Sequence, residues 1–119
     1  MNLEEEAKKF MQSNNKSLIS AHEYQEKCKT TAIYPKKDAI AYLSLGLVSE
    51  AGEVAGKVKK QIRDGTESNI ASEIGDVLWY CAMLSNELNV NLGKIMEDNL
   101  RKLSDRKTRG TLSGSGDNR

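Results

Sequence analysis

The sequence predicts an all-α protein: a bundle of four to five helices with an irregular C-terminal tail. Apolar residues recur at intervals of three or four rather than two, which is the period of a helix. The chain has a single proline in 119 residues, and only 5% of its residues are aromatic, which disfavours strands. Hydrophobic residues make up 38% of the chain, enough for one domain of this length to bury a core. We therefore expect residues 1–119 to form a single domain.

The first amphipathic stretch runs from about Leu18 to Tyr34 and is closed by Pro35. Proline lacks a backbone N–H and restricts the residue before it, so a helix ends at or before that point. Upstream, the segment "LEEEAKKFM" is long enough to form a fifth helix. Residues 1–20 do not share the pattern of the rest, and we expect them to form an N-terminal extension.

The next two stretches are longer and adjacent in the chain. One begins at Ala39 and ends at "RDG", where Gly65 is the residue type expected just past a helix end. The other follows the turn at Gly65 and Thr66, and the short connection favours antiparallel neighbours. Their apolar positions are Ile40, Leu43, Leu47, Ala51, Val54, Val58 and Ile62 in the first stretch, and Ile70, Ile74, Val77, Cys81, Leu84 and Leu88 in the second.

The last amphipathic stretch is followed by a polar tail at residues 108–119. This tail ends in "TLSGSGDNR", has no apolar period and is rich in small residues. Two alternatives are open for it: it closes over bound phosphates with Arg119 as a donor, or it is plainly disordered. The apolar positions of the preceding helix are Leu92, Ile95, Met96, Leu100 and Leu103.

Charge and hydropathy exclude several classes of partner. The formal net charge is +1, which gives no general electrostatic attraction to nucleic acid or to a membrane surface. No apolar run approaches the roughly 20 residues needed to cross a bilayer, and "MNLEEEAKKF" does not resemble a signal peptide. We expect a cytoplasmic protein that binds neither nucleic acid nor membrane.

The two cysteines and the single histidine are too few for the usual cysteine- or histidine-based metal sites and catalytic triads. Cys28 and Cys81 are too few and too isolated for a disulfide framework or a thiolate metal site, so we expect them to fill the core. His22 is the only histidine, which argues against a histidine-rich metal site or a Ser-His-Asp triad.

Two nearly identical hexapeptides, "SEAGEV" at 49–54 and "SEIGDV" at 72–77, contain the candidate metal-ligating carboxylates. Each places two carboxylates three residues apart with a glycine between them, although a glycine inside a helix costs about 1 kcal/mol relative to alanine. At 100° per residue, both carboxylate pairs hold the same flank of their helices, beside the apolar stripe. In antiparallel helices the pairs face each other, and Gly52 and Gly75 thin the helices there. The two flanks consist of Glu50, Glu53, Lys57 and Lys60, and of Glu73, Asp76, Tyr80 and Met83.

Four facing carboxylates repel one another unless a cation neutralises them. Oxygen ligands without histidine or cysteine suit Mg²⁺, with Mn²⁺ as a substitute, better than zinc. Each pair alone is also consistent with a solvated helix face, but the matched phase and the repeated glycine favour a metal site. A di-iron bundle is a further alternative, although such sites usually include Glu-x-x-His pairs and the chain has none.

A basic stripe on the last helix is consistent with a phosphate partner. Lysine and arginine bind phosphate oxygens well, although cations near a helix C-terminus also interact favourably with the helix dipole. The stripe consists of Asn99, Lys102, Arg106 and Arg109.

The segments "GLVSEAGEVAGKVKK", "SEIGDVLWY" and "NLRKLSDR" resemble the MazG-like all-α nucleoside triphosphate pyrophosphohydrolases. Their signature is Glu-x-x-Glu on one helix and Glu-x-x-Asp on the next. The similarity covers about Tyr24 to Arg119, including Tyr24-Gln25, Thr31-Ala32 and the "GSGDNR" ending. It implies Mg-dependent hydrolysis of a nucleoside or deoxynucleoside triphosphate to monophosphate and pyrophosphate, in nucleotide-pool cleansing or control.

The same resemblance implies roles for individual residues. Glu53 is the carboxylate that orients the attacking water, and Tyr80 matches a position where relatives place an aromatic near the base. The implied metal ligands are Glu50, Glu53, Glu73 and Asp76. The implied substrate contacts are Lys57, Tyr80, Asn99, Lys102 and Arg106.

Two further expectations concern partners. A non-catalytic helical module that senses nucleotides or binds a partner is the alternative to the enzyme. We also expect a homodimer or a dimer of dimers, because Trp79, Ala82 and Gly75 lie opposite the apolar stripe of their helix. A helix that is apolar on opposite sides is usually buried on both, and a small bundle covers only one side well.

Overall fold

A computed structural model describes residue 5, residues 18–117 and residue 119. Over this part of the chain the structure is helical and contains no strand, which confirms the all-α prediction. The segment expected to form a fifth helix lies, apart from Glu5, outside the described residues. The four helices are α1 (Ala21–Cys28), α2 (Ala39–Asp64), α3 (Ile70–Glu87) and α4 (Leu92–Thr108), and 3₁₀ turns lie at Lys29–Thr31 and Lys36–Asp38.

Local chemistry sets the helix boundaries. The side chains of Ser20, Asn69 and Asn91 cap α1, α3 and α4, each accepting a hydrogen bond from a backbone N–H in the first turn. Gly65 ends α2 with φ of 68°, a left-handed conformation that glycine adopts without strain. Helix α1 is shorter than the stretch predicted there, because the chain passes into a 3₁₀ turn and then into extended backbone before Pro35.

Helices α2 and α3 run antiparallel, as the sequence predicts. Near the turn that joins them, Lys57 Nζ lies 3.3 Å from the carbonyl oxygen of Asn69. Further from the turn, the backbone of Gly46 meets the ring of Tyr80. Residue numbers thus fall along α2 as they rise along α3, and the two hexapeptides face each other.

The core lies where α3 packs between α2 and the segment that contains α1. Gln25 is buried within it, and its side-chain amide donates to the carbonyl oxygen of Val90 at 2.8 Å and accepts from the backbone N–H of Leu92 at 2.7 Å. These bonds satisfy backbone groups at the α3–α4 connection. The buried apolar residues are Cys28, Tyr34, Ala39, Leu43, Ala82 and Met83.

The second apolar side of α3 is partly covered within the chain itself. Ala82 is completely buried, and the indole N–H of Trp79 donates to the hydroxyl of Thr31 at 2.8 Å. The hydroxyl of Tyr24 in α1 lies 3.4 Å from the carbonyl oxygen of Gly75. The segment around α1 therefore packs against this side at Trp79 and Ala82, whereas Gly75 is exposed. The predicted oligomer stays a prediction.

Large apolar side chains are exposed elsewhere, on α2 and on α4. They include Leu45, Val48 and Ile62 of α2 and Met96 and Leu100 of α4, which are between 52% and 82% exposed. None of the described helices is long and apolar enough to span a membrane.

The glycine that permits a close approach is Gly46, outside both hexapeptides. A Cβ atom there would overlap the ring of Tyr80. A Cβ atom at Gly52 or Gly75 would meet no atom of another residue within 4 Å. The expectation that Gly52 and Gly75 thin the helices at their seam is therefore wrong for the described part of the chain.

Candidate active site

Three carboxylates from two helices meet at the α2–α3 seam. One oxygen from each of Glu50, Glu73 and Asp76 lies within 4.8 Å of the other two. Glu73 and Asp76 are three residues apart on α3 and share a face, while Glu50 approaches from α2 because the helices are antiparallel. We call these three residues the acidic cluster.

The surroundings of the acidic cluster make the ionisation of Glu50 less favourable. The pKa of Glu50 is raised above its ordinary value, first because burial removes water from the carboxylate and then because Asp76, Glu73 and Glu53 are negatively charged. A nearby cation would stabilise the ionised form of a carboxylate that is surrounded by other negative charges.

Lys57 supplies one positive charge to the cluster. Its Nζ lies 2.8 Å from a carboxylate oxygen of Glu73, and the two side chains are 30% and 14% exposed. One positive charge facing three carboxylates leaves the cluster negative, so there is charge left for a divalent cation to neutralise.

Glu53 stands outside the acidic cluster. It is exposed, one turn beyond Glu50 on α2, and its charge contributes to raising the pKa of Glu50. The structure thus groups three of the four predicted ligands and places the fourth at their edge. The roles of Glu53 as a ligand and as the residue that orients water stay predictions.

Tyr80 lies beside the cluster, one turn after Asp76. Its ring packs on the backbone of Gly46 and meets Trp79 edge to face, with ring centroids 5.0 Å apart. The pKa of its hydroxyl is raised, first by burial and then by Tyr42, Glu50 and Asp76. The aromatic ring and the carboxylates are therefore neighbours.

The predicted phosphate contacts Asn99, Lys102 and Arg106 lie on α4, whereas Lys57 lies on α2. Asn99 and Lys102 line a cavity of about 320 Å³ together with Ile95 and Asp98, and no residue of the acidic cluster lines it. Helix α4 packs on α1 and α3.

Arg106 is only 5% exposed and holds the C-terminal tail. Its Nη2 donates to the carbonyl oxygen of Asp117 at 2.9 Å, and Arg109 Nη2 donates to that of Arg119 at the same distance. The described part of the tail is thus bonded to the end of α4. In this arrangement a guanidinium nitrogen of each arginine binds a backbone carbonyl.

The residues of the acidic cluster fit a hard divalent cation. Carboxylate oxygens are the ligands that Mg²⁺ and Mn²⁺ prefer. Octahedral ligands about 2.1 Å from Mg²⁺ are about 3 Å apart when adjacent and about 4.2 Å apart when opposite, and the oxygens of the cluster lie within 4.8 Å of one another. Side-chain rotations that draw the three oxygens closer together would bring them to this spacing.

Two neighbours of the site, Tyr42 and Gly46, were missed in the sequence. They precede Glu50 on α2 by eight and four residues, which places Gly46 about 40° and Tyr42 about 80° around the helix from this carboxylate. The spacing from Glu50 was a usable signal, although neither position carries a carboxylate or a cation.

Two antiparallel helices that each present acidic residues to a shared seam define the class of this protein as an all-α domain with an acidic inter-helix site. The chain belongs to the MazG family, because the MazG nucleotide pyrophosphohydrolase domain matches residues 39–110. That span includes α2, α3, α4 and every predicted site residue. The resemblance seen in the sequence is thereby confirmed.

One relative is similar over most of its length. It is the Gene 37 protein of Mycobacterium phage L5, 46% identical over 109 residues, which cover 81% of this chain and 96% of the relative. No solved structure matches the chain.

Proposed function

We propose that the protein hydrolyses a nucleoside or deoxynucleoside triphosphate to the monophosphate and pyrophosphate. The observation that carries this proposal is the meeting of Glu50, Glu73 and Asp76 within 4.8 Å at the seam of two helices in a MazG-family chain. A triphosphate is strongly anionic, and three carboxylates with one lysine would repel it without a cation.

The cluster residues would hold Mg²⁺, with Mn²⁺ as a substitute. When bound, the ion supplies charge neutralisation for the triphosphate and polarises the phosphoryl oxygens. Glu50 on α2 and Glu73 on α3, both partly buried, would hold the ion, and Asp76 would complete the protein ligands. Since Mg²⁺ usually keeps water and substrate oxygens as further ligands, three carboxylates are sufficient.

Glu53 then acts on the attacking water. Its exposed carboxylate accepts a proton as the water oxygen bonds to the α-phosphorus and the bond from that phosphorus to the β-phosphate bridging oxygen breaks. Pyrophosphate leaves with the electron pair of the broken bond. Lys57, one turn beyond Glu53, places its charge near the phosphates, while Asn99, Lys102 and Arg106 remain predicted contacts from α4.

Reaction in ¹⁸O-labelled water tests this proposal, because it identifies the phosphorus atom that is attacked. Attack at the α-phosphorus places the label in the nucleoside monophosphate and leaves pyrophosphate unlabelled. Label in pyrophosphate, or release of orthophosphate with a diphosphate, would contradict the mechanism. Absence of turnover with a panel of natural and modified triphosphates and Mg²⁺ would favour the non-catalytic module.

A further inference from the structure

Four aromatic side chains form a continuous cluster that reaches from the core to the acidic cluster. Tyr42 stacks on Tyr34 with ring centroids 5.9 Å apart and ring planes 23° apart. Tyr34 meets Trp79 edge to face at 6.4 Å, and Trp79 meets Tyr80 in the same way at 5.0 Å. We call these four residues the aromatic cluster.

Tyr42 lies at the open end of this cluster. Its side chain is 45% exposed, whereas Tyr34 beneath it is only 7% exposed. One face of the Tyr42 ring is thus supported by a buried ring, which leaves part of the side chain accessible to a ligand. Burying an exposed aromatic ring against another planar group is favourable both through apolar area and through stacking.

The support under Tyr42 is fixed by polar contacts. The hydroxyl of Tyr34 donates to a carboxylate oxygen of Glu87, and the ammonium group of Lys36 lies 4.6 Å from the centre of the Tyr34 ring. Lys36 also pairs with Glu87 at 3.3 Å. A ring anchored in this way needs little reordering when a ligand stacks on its neighbour.

Tyr42 lies about two turns before Glu50 on α2 and about 80° around the helix from it. It precedes Glu50 by two steps of four residues, a distance of about 12 Å along the axis of α2. The residue between them is Gly46, where the ring of Tyr80 crosses the helix backbone. The α-phosphate, sugar and base of one nucleotide extend over a comparable length, so a nucleotide with its phosphates at Glu50 reaches Tyr42 with its base.

We infer that Tyr42 is the stacking surface for the base of the nucleotide that the acidic cluster binds. This inference rests on the proposed function and adds a residue that recognises the nucleoside part of the substrate. Stacking tolerates every base, because each base has an aromatic face. Tyr42 therefore distinguishes nucleoside triphosphates from triphosphates that lack a base, and it discriminates weakly among bases.

The test compares the best nucleoside triphosphate with ribose 5-triphosphate, which has the sugar and phosphates but no base. For Tyr42→Ala we expect KM for the nucleoside triphosphate to rise about tenfold, while kinetics with ribose 5-triphosphate stay as in the wild type. Tyr42→Phe keeps the ring and should keep the wild-type preference. Ile40→Ala is the matched control, because Ile40 is also 45% exposed on α2 but points about 160° away from Tyr42.

Trp79 provides a readout that does not depend on turnover. It is the only tryptophan of the chain and belongs to the aromatic cluster, so its fluorescence should respond to a ligand there. We expect an α,β-methylene nucleoside triphosphate to bind Tyr42→Ala about tenfold more weakly than the wild type. Inorganic tripolyphosphate should bind both equally.

The outcomes separate this inference from the proposed function. Unchanged nucleotide affinity in a folded Tyr42→Ala variant, or equal losses with the base-containing and base-free ligands, would overturn the role of Tyr42. A loss that accompanies dissociation of an oligomer in light scattering would show that Tyr42 contacts a second copy instead. If the wild type binds the analogue with the expected Tyr42 dependence but releases no pyrophosphate, the proposed hydrolysis is wrong and base stacking stands.

Discussion

The ammonium group of Lys57 lies 2.8 Å from a carboxylate oxygen of Glu73, and this ion pair joins α2 to α3 at the acidic cluster. In the absence of a metal ion, Lys57 is the cation that relieves the repulsion around Glu73. Its charge opposes a divalent cation at the same carboxylates and attracts the phosphates of a substrate. The Lys57 side chain thus weakens the binding of a divalent cation and strengthens the binding of a phosphate-containing substrate.

Replacing Lys57 by methionine is expected to tighten Mg²⁺ binding and weaken substrate binding. Removing one positive charge at this distance should lower the apparent Kd for Mg²⁺ about fivefold and raise KM for the triphosphate. Calorimetric titration with Mg²⁺ in the absence of nucleotide measures the first effect. Lys59→Met removes an exposed charge from another side of α2 and should change neither quantity. Weaker Mg²⁺ binding by Lys57→Met would show that Lys57 organises the carboxylates instead.

Amide substitutions should distinguish the acidic cluster from Glu53. Glu50→Gln, Glu73→Gln and Asp76→Asn are expected to lose Mg²⁺ binding together with most turnover. Glu53→Gln is expected to lower kcat about a hundredfold with a smaller effect on Mg²⁺ binding, because its carboxylate acts on water. Circular dichroism should show intact helices in all four variants. Near-wild-type turnover in two of them would contradict the proposed site.

Metal-free Glu50→Gln should also resist denaturant better than the metal-free wild type. The amide removes the charge of a partly buried carboxylate, whose pKa is raised by partial burial and by three neighbouring carboxylates. Added Mg²⁺ should stabilise the wild type but not the variant. Urea unfolding with EDTA and then with Mg²⁺ measures both differences. A less stable metal-free variant would mean that Glu50 makes a favourable contact in the absence of metal.

Gly46→Ala should destabilise the fold, whereas Gly52→Ala should stabilise it. A Cβ atom at Gly46 overlaps the Tyr80 ring, and such overpacking costs about 1–3 kcal/mol. A Cβ atom at Gly52 meets no atom of another residue within 4 Å, so the gain is the helix propensity of alanine, about 0.5–1 kcal/mol. Denaturant unfolding of both variants provides the comparison. Equal effects would mean that the Tyr80 ring moves aside at little cost.

Glu87→Gln should lower stability at neutral pH and have progressively less effect in acid. The pKa of Glu87 is lowered below its ordinary value of 4.5, first by the hydrogen bond from Tyr34 and then by Lys36. A lowered pKa in the folded state stabilises the fold above that ordinary value, and the contribution is lost as the pH falls through the lowered pKa. The free energies of unfolding of variant and wild type should therefore begin to converge as the pH falls below about 4.5 and meet below the lowered pKa of Glu87. A pH-independent difference would assign the effect to packing.

The homo-oligomer remains a prediction, and its basis is the exposed apolar surface of α2 and α4. Leu45 and Val48 are 72% and 71% exposed, and Leu100 is 67% exposed. Apolar surface of this extent on a small bundle is typical of contacts between subunits. Light scattering should give a mass of at least two chains, and Leu45→Glu together with Val48→Glu should lower it. An active monomer at micromolar concentration would contradict the prediction.

The long helices could be predicted because their signals are local. The end of α2 depends on the left-handed backbone at Gly65, and the start of α3 depends on the cap at Asn69, so both can be recognised from a few residues. That the carboxylates of α2 and α3 face each other could also be predicted. The matching helical phase places them on the same flank, and the short turn makes the two helices antiparallel. The end of α1 was not predicted, because the chain leaves the helix for a 3₁₀ turn at Lys29–Thr31 and the apolar period does not report that change.

The remainder of the site could not be predicted because it depends on tertiary packing. The crossing of Tyr80 over Gly46 and the stacking of Tyr42 on Tyr34 are set by how helices and loops pack, and no repeat marks them. Arg106 shows the same limit, since its helical position suggests a phosphate contact while its surroundings bury it against the tail.

Helix α3 divides into two halves with different surroundings. Glu73 and Asp76 lie in its first half, whereas its buried residues, Ala82, Met83 and Ser85, all lie in the second. Local opening should therefore cost less free energy at the carboxylates than at the core, and amide hydrogens should exchange faster there. Binding of a cation would stabilise the first half of α3, which contains none of the helix's buried residues. Substitutions that change ligand preference can therefore accumulate in the first half of α3 during evolution, because the buried residues of the second half stabilise the fold.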